Sequence, residues 1–128
     1  MRISNWPYFD FEEQEAALNT LRSGRVNYWT GDQVKLFEEE FSRYIGVKHS
    51  IAVANGSLAL SLAYLAIGIG KGDEIITTPR TFVATSSSLV LLGAKPIFAD
   101  VSHNSGCITA DSIESLITTK TKAIVVVH

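Results

Sequence analysis

Hydrophobic residues recur at helical spacing in the first third of the chain. The stretch from Phe11 to Ser23 has an apolar face and three glutamates near its start, and Gly24 follows as a stop signal. A second amphipathic stretch runs from Asp32, a residue type that caps helices, to about Ile45, where Gly46 ends it. The pattern predicts two helices in an N-terminal helical segment, residues 1–46.

From residue 47 onwards, short apolar runs alternate with helical stretches. This alternation is typical of βαβ units, so we predict an α/β fold with three layers, α/β/α, and a mainly parallel sheet covered on both faces. An apolar strand reaches the end of the chain at His128, and such an edge calls for a further neighbour. We therefore expect residues 47–128 to be part of a larger domain. The predicted strands are 51–54, 74–78, 96–101 and 123–127, and the predicted helices are 57–67, 81–92 and a short one to 117 that Asp111 caps.

One turn between a predicted strand and helix carries candidate chemistry. Ser57 falls where we predict the N-cap of the helix, and Gly56 has no side chain to keep an anion away from the backbone. Free N–H groups and the helix dipole favour a phosphate at such a helix start. The segment contains neither the dinucleotide motif nor the P-loop motif, so an ordinary capped helix is the alternative at this point.

Composition and charge narrow the function classes. The chain has 128 residues, of which 46% are apolar, as in a globular protein with a core. Its net charge of −2 and its scattered lysines predict no nucleic-acid partner and no membrane-surface partner. Cys107 is the only cysteine, so we predict neither disulfides nor a metal site. The apolar runs fall short of the roughly 20 residues of a membrane span, and a cytoplasmic location is expected.

Six segments, in this order, resemble the N-terminal part of the DegT/DnrJ/EryC1/StrS sugar aminotransferases, which use pyridoxal 5'-phosphate (PLP). The resemblance covers nearly the whole chain. It implies that residues 47–128 form part of the PLP-binding large domain of fold type I, the aspartate aminotransferase-like fold. The segments that carry it are Leu21–Gly24, Thr30–Gly31 with Phe37–Glu38, Ala54–Leu60, Ile67–Glu74, Thr77–Thr85 and Leu92–Pro96.

The resemblance implies roles at the cofactor. Gly56, Ser57 and Leu58 would hold the PLP phosphate through backbone N–H groups and the Ser57 hydroxyl. Phe82 would stack on the pyridine ring; without the resemblance it would be interpreted as a core phenylalanine. Asp100 ends a predicted strand, and we interpret it as structural because the family places its pyridine-pairing aspartate later in the chain.

The resemblance also implies a substrate loop. Tyr28, Trp29, Thr30 and Gly31 match a loop at the substrate end of the family's site. An aromatic loop that simply packs on a neighbouring element is an equal alternative. His128 matches a frequent histidine of the family, to which we assign no catalytic role.

The activity that the resemblance implies is transfer of an amino group from glutamate or glutamine to a nucleotide-linked keto-sugar, by a homodimer. The lysine that forms the Schiff base would lie beyond residue 128, so we assign no catalytic residue and expect this stretch alone to be inactive. Three alternatives stay open: a sugar-sensing regulator of the same family, another PLP enzyme of fold type I such as a cysteine desulfurase, and a stand-alone binding module.

Overall fold

A computed structural model describes residues 6–128, which fall into two compact units. The first unit ends at Ala52 and the second runs from Val53 to His128. This division lies a few residues beyond the boundary after residue 46 that the sequence pattern predicted. The assignment of residues 47–128 to a PLP-binding domain stays a prediction.

The first unit contains the two predicted helices, α1 (Phe11–Ser23) and α2 (Gln33–Ile45). Asp10 and Glu13 form a capping box at the start of α1, each side chain accepting the other's backbone N–H. Asp32 precedes α2, but its predicted capping role is wrong. Its backbone is already helical (φ −112°, ψ −10°), and its side chain makes no capping hydrogen bond. A capping side chain usually needs an extended backbone at its own position.

The second unit is built on three strands, β1 (Glu74–Thr77), β2 (Lys95–Phe98) and β3 (Thr121–Ile124). They form one sheet in the order β2-β1-β3, and both strand pairs are parallel. The alternation of strands and helices and the parallel sheet are therefore confirmed. A parallel pair needs a crossover connection, which the intervening helices supply. The helices of this unit are α3 (Gly56–Ala66), before β1, α4 (Ala84–Leu91), between β1 and β2, and α5 (Ala110–Glu114), between β2 and β3.

The core of the second unit lies between the central strand β1 and the helices α3 and α4. Ile75 from β1 and Leu89 from α4 are fully buried, and Tyr64 from α3 packs in the same cluster. The Tyr64 hydroxyl donates to the Thr85 carbonyl at 3.1 Å. Burial raises the pKa of Tyr64, so its phenol stays neutral and keeps this donor. The cluster and this hydrogen bond hold α3 against α4.

The predicted strand at residues 51–54 is wrong, because this segment forms no strand in the structure. A strand exists only by pairing with a neighbour, and this segment pairs with none of the strands β1, β2 and β3. Ile51 is 71% exposed, whereas the apolar sequence of this segment suggested a buried strand.

Two helix starts also differ from their prediction. α4 begins at Ala84 instead of Thr81, because the Thr78 hydroxyl accepts the Arg80 N–H at 3.1 Å and holds a non-helical turn. α5 is capped by Thr109 and not by Asp111, since the Thr109 hydroxyl accepts the Ser112 N–H at 3.2 Å. The outer strands keep their places but shift in extent, β2 ending at Phe98 and β3 beginning at Thr121.

Asp73 joins the turn before β1 to strand β3. Its Oδ2 accepts the Gly70 N–H at 2.9 Å and the Lys122 ammonium at 3.1 Å. The Gly70 N–H, and after it the Lys122 side chain, lower the pKa of Asp73. A lowered pKa in the folded state means that the stabilisation is present above the ordinary pKa and is lost as pH falls through the folded value.

We expect the complete protein to lose stability in acid partly through Asp73. In denaturant unfolding, Asp73→Asn should show a smaller drop in midpoint than wild type between about pH 6 and about pH 3. Asp32→Asn is the control, because the Asp32 carboxylate accepts no hydrogen bond from the part of the chain that is described. An Asp73→Asn variant with the acid dependence of wild type would contradict this role.

Candidate cofactor-binding site

Asn55, two residues before the predicted cap, is the N-cap of α3. Its backbone is extended (φ −165°, ψ 169°), and its Oδ1 accepts the Leu58 N–H at 3.0 Å. The helix therefore begins at Gly56, and Ser57 lies inside its first turn. The predicted Ser57 cap is wrong in position. Asparagine is as strong a capping residue as serine, so Asn55 was a signal available in the sequence.

The first turn of α3 keeps two free backbone donors. Within residues 6–128, no group accepts the N–H of Gly56 or of Ser57, whereas the Leu58 N–H is already bonded to Asn55. All three of these residues are exposed, and the turn itself contains no acidic residue. An anion at this turn would meet two N–H groups and the positive end of the helix dipole without a competing carboxylate in the turn.

Open space lies beside this turn. A Cβ built on Gly56 would meet no described atom within 4 Å. The free N–H groups are therefore accessible to a ligand, and they are not covered by side chains of the described residues. An ordinary helix cap does not require this openness, but a phosphate site does.

Phe82 is a surface residue in the loop between β1 and α4. It is 73% exposed among the described residues, so it is not part of the core of the second unit. The loop around it is ordered by short contacts: the Thr85 N–H donates to the Phe82 carbonyl at 3.0 Å, and the hydroxyls of Thr81 and Thr85 are 2.9 Å apart. This loop follows the carboxyl end of the central strand, where parallel sheets bind their ligands.

A direct contact joins the two segments of the second unit that carry the predicted cofactor residues. The Ser88 hydroxyl of α4 donates to the Ser57 carbonyl of α3 at 3.4 Å. Phe82 lies just before α4, and Ser57 lies in the first turn of α3. The second unit therefore holds Gly56, Ser57 and Leu58 on α3 and Phe82 in the loop just before α4, and these two helices pack against each other.

The predicted substrate residues belong to the first unit. Asn27 orders their loop, because its Oδ1 accepts the N–H groups of Trp29 and Thr30 at 3.0 Å each. A Cβ on the buried Gly31 would lie 2.3 Å from the Arg25 carbonyl oxygen, so only glycine fits there.

The aromatic rings of this loop face solvent within the described residues. Trp29 is 88% exposed and packs edge-on against Tyr28, with ring centroids 6.2 Å apart. The Lys35 ammonium lies over the Tyr28 ring, 5.6 Å from its centre, which is the geometry of a cation–π contact. The loop thus presents aromatic surface and polar groups together.

Other candidate chemistry is sparse in the described part of the chain. The Asp100 carboxylate accepts the Val101 N–H at 2.8 Å, in keeping with its structural interpretation. Residues 6–128 contain no group of three or more His, Cys, Asp or Glu side chains placed to hold a metal ion. None of the helices in this range has the length and apolar character to cross a bilayer.

The sequence model of the DegT/DnrJ/EryC1/StrS aminotransferase family matches residues 7–128. The chain belongs to this family. Membership confirms the family resemblance that the sequence analysis stated. Members of the family are PLP-dependent sugar aminotransferases.

Relatives show the same fold at high similarity. The spore coat polysaccharide biosynthesis protein SpsC of Bacillus subtilis is 42% identical over 122 residues, which are 95% of this chain and 31% of SpsC. An aminotransferase from Psychrobacter cryohalolentis superimposes with a TM-score of 0.95 at 49% identity, covering 99% of this chain and 32% of its own. NtdA of Bacillus subtilis, solved with bound PMP, superimposes with a TM-score of 0.86 at 32% identity, covering 100% of this chain and 31% of its own.

These similarities confirm the aspartate aminotransferase-like α/β fold, and they confirm PLP, with its amino form PMP, as the cofactor of the family. The chain spans about a third of the length of these relatives. The chemical groups that the described residues expose fit such a cofactor. Exposed N–H groups at a helix start suit its phosphate, and an exposed aromatic side chain suits its ring.

Proposed function

We propose that this chain is the N-terminal part of a PLP-dependent aminotransferase that transfers an amino group to the keto group of a nucleotide-linked sugar. Glutamate or glutamine is the proposed donor. The observation that carries the proposal is the exposed first turn of α3, with two free N–H groups, in a chain of the sugar aminotransferase family. PLP supplies the electron-sink chemistry when it is bound.

The residues of the second unit bind and orient the cofactor in this proposal. Gly56 and Ser57 donate their free N–H groups to the phosphate, and the Ser57 hydroxyl adds a third donor. Leu58 contributes its N–H once the Asn55 side chain shares it or moves away. Phe82 presents a flat apolar face to the pyridine ring, which is held in one plane by that contact.

The residues of the first unit serve the sugar substrate. Tyr28, Thr30 and Gly31 form a loop whose aromatic and hydroxyl groups suit a sugar, which offers both apolar faces and hydroxyls. The lysine that exchanges the proton lies beyond residue 128 in this proposal, so the 128 residues alone are expected to be inactive. The complete protein acts as a cytoplasmic homodimer.

The test uses the purified complete protein with a panel of nucleotide-linked keto-sugars and with glutamate or glutamine as donor. We expect a yellow protein that converts its bound cofactor from the PLP to the PMP form on addition of donor. We also expect an aminated nucleotide-sugar, detected by mass spectrometry, and none from protein stripped of PLP. A protein that binds PLP and keto-sugar but forms no amino-sugar with either donor would instead be a sugar-sensing member of the family.

A further inference from the structure

Glu38 differs from the two glutamates that follow it on α2. Glu39 and Glu40 are exposed, whereas Glu38 is half-buried. Its neighbour one turn later on the same side of the helix, Ser42, is also half-buried. A carboxylate on the inner side of a helix needs partners for its oxygens, because burying a charge without hydrogen bonds is costly.

The partners of Glu38 lie in the segment that leads to the α3 turn. The Ala52 N–H donates to Glu38 Oε1 at 2.8 Å, and the Ser50 hydroxyl donates to the Glu38 backbone carbonyl. Ala52 is the last residue of the first unit and lies three residues before Asn55, the cap of α3. Glu38 therefore anchors the backbone just ahead of the proposed phosphate site.

The second carboxylate oxygen of Glu38 faces the proposed substrate loop. Glu38 Oε2 lies 3.5 Å from the Tyr28 hydroxyl, which is a long contact for a hydrogen bond. Lys35, one turn before Glu38 on the same helix, places its ammonium over the Tyr28 ring. Helix α2 thus holds Tyr28 through two of its side chains.

We propose that Glu38 is a positioning residue that couples the sugar loop to the approach of the phosphate turn. One oxygen fixes the backbone at Ala52, and the other holds the Tyr28 hydroxyl. Glu38 touches neither cofactor nor sugar in this proposal. This inference rests on the proposed function, because Glu38 acts on the two segments that bind the sugar and the phosphate in that proposal.

A positioning role has effects that a merely structural role lacks. Loss of a merely structural hydrogen bond lowers the free energy of unfolding. It leaves the affinities for the keto-sugar and for PLP unchanged in protein that is folded. Loss of positioning raises the KM for the keto-sugar and weakens PLP binding in folded protein, with kcat changed less than KM. The measurements are therefore made on the complete protein, at a temperature well below its unfolding transition.

Three substitutions separate these roles. Glu38→Ala removes both oxygens, and we expect a rise in sugar KM and a loss of PLP affinity of about tenfold each, the size of one charge-assisted hydrogen bond. Glu38→Gln keeps an oxygen for the Ala52 N–H, so PLP affinity should stay within about twofold of wild type. Glu40→Ala removes an equal charge from an exposed position of the same helix and should change neither.

The outcomes are distinct. If Glu38→Ala is folded and matches Glu40→Ala in sugar KM and PLP affinity, the inference is overturned, whatever its unfolding midpoint. If Glu38→Ala does not fold, Glu38→Asp replaces it, because its charge is kept but its shorter side chain pulls back from Ala52 and Tyr28. Unchanged KM and PLP affinity in Glu38→Asp would then overturn the inference. A complete protein that binds no PLP would overturn the proposed function together with this role.

Discussion

Gly56→Pro in the complete protein is expected to weaken PLP binding by about 10- to 100-fold without loss of stability. Gly56 is the first residue of α3, where proline is favoured because its fixed φ suits the helix and its missing N–H breaks no helical hydrogen bond. Asn55 before it is extended, which is the conformation that a following proline requires. The fold thus accepts the substitution.

The expected loss of PLP affinity comes from contacts with the phosphate and not from damage to the fold. The substitution removes one free N–H from the proposed phosphate site and places ring atoms in the space in front of the turn. A hydrogen bond to a charged group contributes about 1.5–3 kcal/mol, which corresponds to about 10- to 100-fold in affinity. Absorbance titration of the cofactor-free complete protein with PLP measures the change.

Ala110→Pro is the matched control for this substitution. Ala110 is the first residue of α5, and Thr109 before it is also extended (φ −121°, ψ 162°). The capping bonds of α5 use Thr109 and Ser112, so proline at 110 leaves them intact. We expect this variant to bind PLP as wild type does. Equal affinity of Gly56→Pro and Ala110→Pro for PLP would argue against the phosphate role of Gly56.

Phe82→Ala is expected to weaken PLP binding by about 3- to 10-fold. Aromatic contacts contribute about 0.5–1.5 kcal/mol beyond the area they bury, and truncation removes that contact. Because Phe82 is 73% exposed, its loss should leave the midpoint of denaturant unfolding almost unchanged. Phe82→Tyr keeps a flat ring and should retain the affinity of wild type.

A neighbouring residue provides the control for Phe82. Val83 is 65% exposed in the same loop, so Val83→Ala removes exposed apolar surface without removing an aromatic ring. PLP affinity should not change in this variant. The stacking role fails if Phe82→Ala and Val83→Ala have the same PLP affinity.

The elements that local signals determine were predictable from the sequence. The predicted extent of α1 agrees with the structure, since acidic residues mark its start and Gly24 adopts the left-handed conformation (φ +69°) at its end. The parallel sheet followed from the alternation of apolar runs with helices, because parallel strands need such crossovers. Both features follow from patterns that are visible in the sequence itself.

Two features were not predictable because they depend on partners far along the chain, and one local feature was misplaced. The apolar run at 51–54 suggested a strand, but strand pairing is decided by which other strands are present. The cap of α3 was misplaced from Asn55 to Ser57, because both residue types cap helices and only the backbone conformation distinguishes them. Glu38 was part of a family-like segment, yet its contact with Ala52 fourteen residues away required the structure.

The candidate site lies between these cases. The sequence placed Gly56, Ser57 and Leu58 at the start of a helix, as the structure does, but it placed Phe82 inside a helix that in fact begins only at Ala84. The structure adds that Gly56 and Ser57 have free donors while Leu58 does not. The roles of Gly56, Ser57, Leu58 and Phe82 towards PLP stay predictions, as do those of Tyr28, Thr30 and Gly31 towards the sugar.

The central claim is that the first turn of α3 binds the phosphate group of PLP. The most direct measurement compares the affinities of wild type and Gly56→Pro for PLP and for pyridoxal, which lacks the phosphate. We predict that the substitution weakens PLP binding by at least about tenfold and leaves pyridoxal binding unchanged. Equal losses for both compounds, or no loss for PLP, would contradict the claim.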